Sequence, residues 1–208
     1  GNISIPKHEI QYKGEQAVPP KKRETAVKKT AEQVKTVQHK DPDKERAKIT
    51  SIIEAEAKEV IASVYESADK NATPAVRKKV ERQIKQDITD VVETYHREYT
   101  IKAKTAQAEI EEMFPNEDAN TIKELVEEAQ AEAHQTFMQQ IETATTAIIN
   151  NAVTYATEST EVAACERERD EHMDEVRKHL QGFSRTIPSF LMAYGYHGVT
   201  LDNFDTII

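Results

Sequence analysis

Thr73-Pro74-Ala75-Val76-Arg77-Lys78-Lys79-Val80-Glu81-Arg82-Gln83-Ile84-Lys85-Gln86-Asp87-Ile88-Thr89-Asp90-Val91-Val92-Glu93-Thr94-Tyr95-His96-Arg97-Glu98-Tyr99 decides the fold class of this 208-residue chain. Val76, Val80, Ile84, Ile88, Val91, Val92, Tyr95 and Tyr99 recur at spacings of three and four, with charged residues between them. That period puts one apolar stripe on a helix and cannot put one on a strand. Thr73 followed by Pro74 is a start signal, a capping hydroxyl with proline at the first helical position. Pro115 closes the stretch near Met113-Phe114.

The same grammar extends in both directions. Asp41-Pro42 opens a helix that runs to about Asp69 and buries Ile49, Ile52, Ile53, Val60, Ile61 and Val64. Before it, Lys21 to about His39 forms a basic helix with a narrow stripe of Val27, Ala31, Val34 and Val37. Residues 1–20, with Ile3, Ile5, Ile10 and Tyr12 ahead of Val18-Pro19-Pro20, predict an extended lead-in or strand leaving an upstream domain. From Asn120 to Gln181 there is neither proline nor glycine, and Ile122, Leu125, Val126, Ala129, Ala133, Phe137, Ile141, Ala144, Ile148 and Ala152 continue the helical stripe. A break is expected at Asn150-Asn151 or within Thr154–Thr160, where Thr and Ser weaken helix preference. Gly182 is expected to cap that helix after Arg177, Lys178 and His179. Heptads are not sustained over four repeats, so the expectation is an all-α, elongated antiparallel bundle of long helices, not a long coiled coil. The helical domain is read as 21–181, followed by an apolar helical docking segment at 182–208.

Composition narrows the function classes. Charged residues make up 31% of the chain and the apolar fraction is 38%, which suits a thin helical core. No stretch approaches the roughly 20 continuous apolar residues of a membrane span. Cys165 is the only cysteine, so neither a disulfide framework nor a thiolate metal cluster is expected, and a reducing cytoplasmic setting is the default. The net charge of −9 is uneven: residues 1–48 hold twelve Lys/Arg against seven Asp/Glu, the remainder sixteen against thirty. An acidic body repels the phosphate backbone, so only the N-terminal arm has the sign for nucleic acid. Lys21, Lys22, Arg23, Lys28, Lys29 and Lys35 are the candidate phosphate contacts there, with no aromatic residues interleaved to stack on bases.

Catalytic constellations are missing from the sequence. A glycine-free span from 15 to 181 leaves no room for a phosphate-cradling glycine loop, and no nucleophile elbow occurs. Glu93-x-x-His96 has the spacing of one half of a helical di-iron site, but the second pair is lacking, so the pair reads as a solvated helix face. His172 and His179, seven apart among Glu166, Glu168, Asp170, Glu171, Asp174 and Glu175, read as a charge-laced surface. No catalytic, cofactor-binding or metal residue is assigned.

The last 27 residues differ in kind, holding three of the five glycines and five of the twelve aromatics. Phe183, Ile187, Phe190, Leu191, Tyr194 and Phe204 are the candidate partner-docking residues, and the segment reads as one edge of a larger packed structure. Pro188 permits a new helix start. Gly182-Phe183-Ser184-Arg185-Thr186-Ile187-Pro188-Ser189-Phe190-Leu191-Met192-Ala193-Tyr194-Gly195, with Thr200-Leu201-Asp202-Asn203-Phe204-Asp205, resembles a stretch of the restriction (R) subunit of type I restriction-modification enzymes. In those large chains the stretch lies downstream of the helicase motor, after a variable Glu/Lys/Ala-rich helical region. The match covers about an eighth of this chain.

The resemblance implies a parent that translocates duplex DNA at the expense of ATP and cleaves it with a separate Mg-dependent nuclease. For this chain it implies a non-catalytic coupling domain that contacts other domains of the same parent or the methyltransferase and specificity subunits. Two further readings remain open at this point: a free-standing helical scaffold or adaptor that self-associates, and a nucleic-acid-binding module acting through the basic arm.

Overall fold

The computed structural model describes residues 13–37 and 41–193, with the backbone alone at 13 and 184–193. Five α-helices follow one another: α1 (Lys13–Gln16), α2 (Pro20–Lys35), α3 (Pro42–Ala68), α4 (Pro74–Met113) and α5 (Ala119–Ala193), with a 3-10 turn at Asp69–Asn71. The described residues contain no strand, and the protein is all-α.

The helix starts follow from local chemistry. Asp41 accepts a hydrogen bond from the Asp43 N–H at 3.0 Å, and Pro42 takes the first helical position, where a missing N–H costs nothing. Thr73 accepts from the Val76 N–H at 3.2 Å ahead of Pro74. Asp118 caps α5 by accepting from the Thr121 N–H at 2.9 Å, and these bonds hold its carboxyl below the usual range. Asp69 turns the chain out of α3 with a φ of 49°, a left-handed conformation that Asp tolerates better than most residues.

The first compact unit, Gly1–Glu161, is an up-down-up-down bundle. Lys22 donates to Ser63 while Lys29, further along α2, pairs with Glu56 at 3.0 Å and Glu59 at 3.2 Å, so α2 and α3 run antiparallel. Lys58–Glu81 at 2.8 Å, Lys85–Glu54 at 3.7 Å and His96–Glu45 at 3.8 Å give the same sense to α3 and α4. Tyr155 donates to Asp87 at 2.7 Å and Gln130 donates to the Ala103 carbonyl at 3.0 Å, which runs α5 back along α4. α3 sits centrally and touches α1, α2 and α4. The surface pairs fix register more than they stabilise, because exposed ion pairs contribute well under about 1 kcal/mol each.

The core is one cluster built from Ile49, Ile53, Val60 and Val64 of α3, Val80, Ile84, Ile88 and Val92 of α4, and Phe137, Ile141, Ile149 and Val153 of α5. Val27 and Val34 of α2 close it from the fourth side, as their stripe predicts.

Three local expectations are corrected. First, α5 does not break at Asn150-Asn151 or within Thr154–Thr160. Thr157, Ser159 and Thr160 are buried there, and the Thr154 and Thr160 hydroxyls return to the helix's own carbonyls. Thr160 donates to Ala156 O at 2.8 Å, as Thr145 does to Ile141 O at 2.7 Å. A buried hydroxyl satisfied in this way removes the competition that makes Thr a weak helix former in water. Second, the backbone stays helical through Gly182 and Pro188 to Ala193. A Cβ at Gly182 would meet nothing within 4 Å, so glycine there costs only its intrinsic propensity, about 1 kcal/mol. Third, the part of the lead-in at 13–16 is a helical turn, not extended. Its anchor is contact: Val18 is fully buried, and a Cβ on Gly14 would lie 3.0 Å from Thr157 Oγ1 and from Val64 Cγ1. A side chain at position 14 would fit only if Thr157 and Val64 gave way by a few tenths of an ångström. Residues 1–12 lie outside the described residues.

The second compact unit is Val162–Ile208, described over its helical part. Val162, Met173 and Phe183 are exposed on it, and its charges pair along the helix, as in Arg167–Glu171 at 3.2 Å. No described helix is long and apolar enough to cross a membrane.

Candidate functional site

The six basic residues of the arm separate into two sets. Lys22, Arg23 and Lys29 are engaged internally: Lys22 with Ser63, Arg23 with the Val18 carbonyl at 2.9 Å and with Asn150 at 3.3 Å, and Lys29 with Glu56 and Glu59. Glu56 is itself buried, so Lys29 neutralises a carboxylate withdrawn from water, and hydrogen bonds to Glu56 and Glu59 raise the Lys29 pKa. Lys21, Lys28 and Lys35 are exposed at seven-residue spacing, about 10 Å apart along one face of α2. Exposed Glu24 and Glu32 lie between them and dilute the positive potential.

Of the candidate docking residues, Phe183 is 51% exposed and meets the His179 ring edge-on at 5.1 Å between centroids. Ile187, Phe190 and Leu191 fall on the helical backbone of α5. Tyr194 and Phe204 lie outside the described residues. His172 and His179 are exposed, as read from sequence.

His96 contradicts its reading as part of a solvated face, for it is only 3% exposed. Its ring packs edge-on to Phe137 of α5 at 5.6 Å and to Tyr99 at 6.0 Å, and Tyr99 stacks on Phe137 at 5.2 Å. His134 meets Tyr99 from the α5 side at 5.6 Å. Burial and the nearby Arg46 guanidinium push the His96 pKa below its ordinary value, against the opposing pull of Asp43. The signal was present in the sequence: Val80, Ile84, Ile88, Val92 and His96 form an uninterrupted four-residue stripe, and all five are buried. Among the described residues, no three His, Cys, Asp or Glu side chains gather to hold a metal ion.

Tyr155 is the most perturbed titrating group with a resolved value. Its hydroxyl donates to Asp87, and that bond, together with burial and the carboxylate charge, pushes its pKa up to about 12. A phenol raised in the folded state stabilises the protein below its unfolded value near 10, and that contribution is lost as pH climbs through the folded value. Ultraviolet titration is therefore expected to show Tyr155 ionising last among the late phenols, since burial also raises Tyr65 and Tyr99. In Asp87→Asn the Tyr155 phenol should ionise at least a unit earlier; an unchanged profile would show that the Asp87 bond does not set it.

A small groove of about 410 Å³ between α2 and α5 is lined by Pro20, Val27, Lys28, Glu142, Thr146 and Asn150, while the α3–α4 groove beside Tyr65 is filled with paired charges. Compared with known protein families, with curated proteins and with solved structures, the chain matches none.

Proposed function

We propose that the chain is a helical coupling domain of a type I restriction enzyme R subunit, non-catalytic in itself. It would transmit force or hold geometry between an ATP-driven, Mg-dependent DNA motor and the methyltransferase and specificity subunits. The observation that carries this reading is the segment 182–205, whose residues resemble that subunit family and whose aromatic Phe183 is exposed. Among the described residues, the bundle's hydrophobic cluster draws its members from Val18 to Ala156. Apolar side chains left in water on a helix otherwise held by surface ion pairs are what a docking surface looks like before its partner arrives.

The test is immunoprecipitation from source cells with an antibody raised against the bundle. The reading expects a chain several-fold heavier than 23.6 kDa, whose precipitate hydrolyses ATP only when duplex DNA and Mg are added. In that chain Phe183→Ala combined with Phe190→Ala should cut co-precipitation of the methyltransferase about tenfold or more while leaving helix content unchanged. A precipitate without DNA-stimulated ATP hydrolysis overturns the proposal and leaves a self-associating scaffold.

A further inference from the structure

The His96 ring nitrogens are placed unequally. Nδ1 lies 3.4 Å from Thr100 Oγ1, while the Thr100 hydroxyl donates to the His96 carbonyl at 2.8 Å. With the hydroxyl proton so used, Nδ1 carries the imidazole proton and Thr100 Oγ1 accepts from it. That leaves Nε2 as a lone pair, fully buried and without a hydrogen bond among the described residues. The group facing it is the Glu45 carboxylate, 3.8 Å away on the first turns of α3. A lone pair opposite a carboxylate gains nothing, and 3.8 Å is too long for a hydrogen bond if the proton moves.

We propose that His96 is an acid-sensitive latch between the beginning of α3 and the α4–α5 hairpin, closed while the imidazole is neutral and loosened when it takes a second proton. Neutral, the ring is an aromatic filler: it packs on Phe137 and Tyr99 and completes the layer over which α3 begins. Protonated, it is a cation within an aromatic layer, and its new N–H has no acceptor within bonding distance unless ring or helix moves. Glu45 must then close by about 1 Å, or the imidazolium must leave the layer for water. Either movement shifts the first turns of α3 against α4.

The groups around the ring set the direction. From α3, Asp43 favours the proton, the Arg46 guanidinium opposes it, and the Glu45 carboxylate faces the ring at 3.8 Å. From α5, Phe137 offers no charge, and half-buried His134 stands behind Tyr99. From α4 itself, Glu93 and Arg97 are exposed and carry opposite signs. Burial and Arg46 outweigh Asp43, so the folded state holds the proton less tightly than the unfolded chain does. The latch is therefore closed above the ordinary imidazole value near 6.5 and weakens as pH falls below it, by at most about tenfold per pH unit.

The experiment combines imidazole NMR titration with amide hydrogen exchange on the whole protein. One imidazole, identified by its loss in His96→Gln, is expected to titrate below the ordinary imidazole value. After correction for intrinsic rates, exchange at residues 46–50 should speed up about fivefold or more between pH 7.5 and 5.5. That acceleration should vanish in His96→Gln and survive in His134→Gln. Should His96→Gln fail to fold, His96→Phe keeps the layer filled without a titrating group and serves in its place. If neither folds, through-bond assignment of the wild-type ring decides. A His96 that titrates at or above the ordinary imidazole value near 6.5, or acceleration that persists without it, overturns the latch.

Discussion

Replacing Phe137 with alanine is expected to cost about 3–5 kcal/mol of unfolding free energy, the range for deleting a buried aromatic ring. Phe137 is 1% exposed and is among the largest fully buried side chains in the bundle. It also joins two helices through ring contacts, stacked on Tyr99 and edge-on to His96 of α4. Such contacts add about 0.5–1.5 kcal/mol beyond the area removed from water. The void left behind would be lined by an imidazole and a phenol, polar groups that an empty space cannot satisfy. Against the 5–15 kcal/mol or so that hold a domain together, this loss is a large share of the whole. Urea unfolding followed by circular dichroism reads it as a fall in midpoint at unchanged slope. A cost under about 1 kcal/mol would mean that the aromatic layer is not packed as described. Phe137→Leu, which keeps most of the volume, should recover more than half of the loss.

The second large effect is expected at Ile53, where alanine should cost about 2–5 kcal/mol and valine about 0.5–1.5. Ile53 is fully buried, on the helix that touches α1, α2 and α4 at once. A cavity there is walled by several helices that cannot all collapse inward, which favours the upper part of the range. Ile53 and Phe137 belong to one core cluster, so the double variant tests whether the bundle unfolds as one unit. Additive costs with a single transition fit a cooperative core; two transitions would split it.

Phe137 and Ile53 belong to the described hydrophobic cluster, whereas Phe183 is exposed and Phe190 belongs to the proposed docking segment. Substitutions at Phe137 and Ile53 should therefore act on folding, and those at Phe183 and Phe190 on assembly.

Where the chain was legible, the signal was local. Asp41-Pro42 and Thr73-Pro74 each place a capping oxygen and a residue lacking an N–H where a helix leaves donors unpaired, and both helices start there. The four-residue stripe of α4 was equally plain, although its last member, His96, was misread because Glu93 beside it invited a surface interpretation. The docking residues were legible as composition only; Phe183 is exposed, and Tyr194 and Phe204 fall outside the described residues.

By itself the sequence determined the all-α class, the starts of α3 and α4 and the members of the apolar stripes. Caps, periodicity and helix propensity act over one or two turns and need no partner. The tertiary structure alone decided which polar groups go inside. Thr145, Thr160 and Glu56 are buried, Gly14 admits α1 against Thr157, and His96 lies opposite Glu45. Their environments come from residues distant in the chain, and only packing makes those neighbours. For the same reason α5 runs on through its threonines: burial against the bundle replaced the water that would have weakened the helix there.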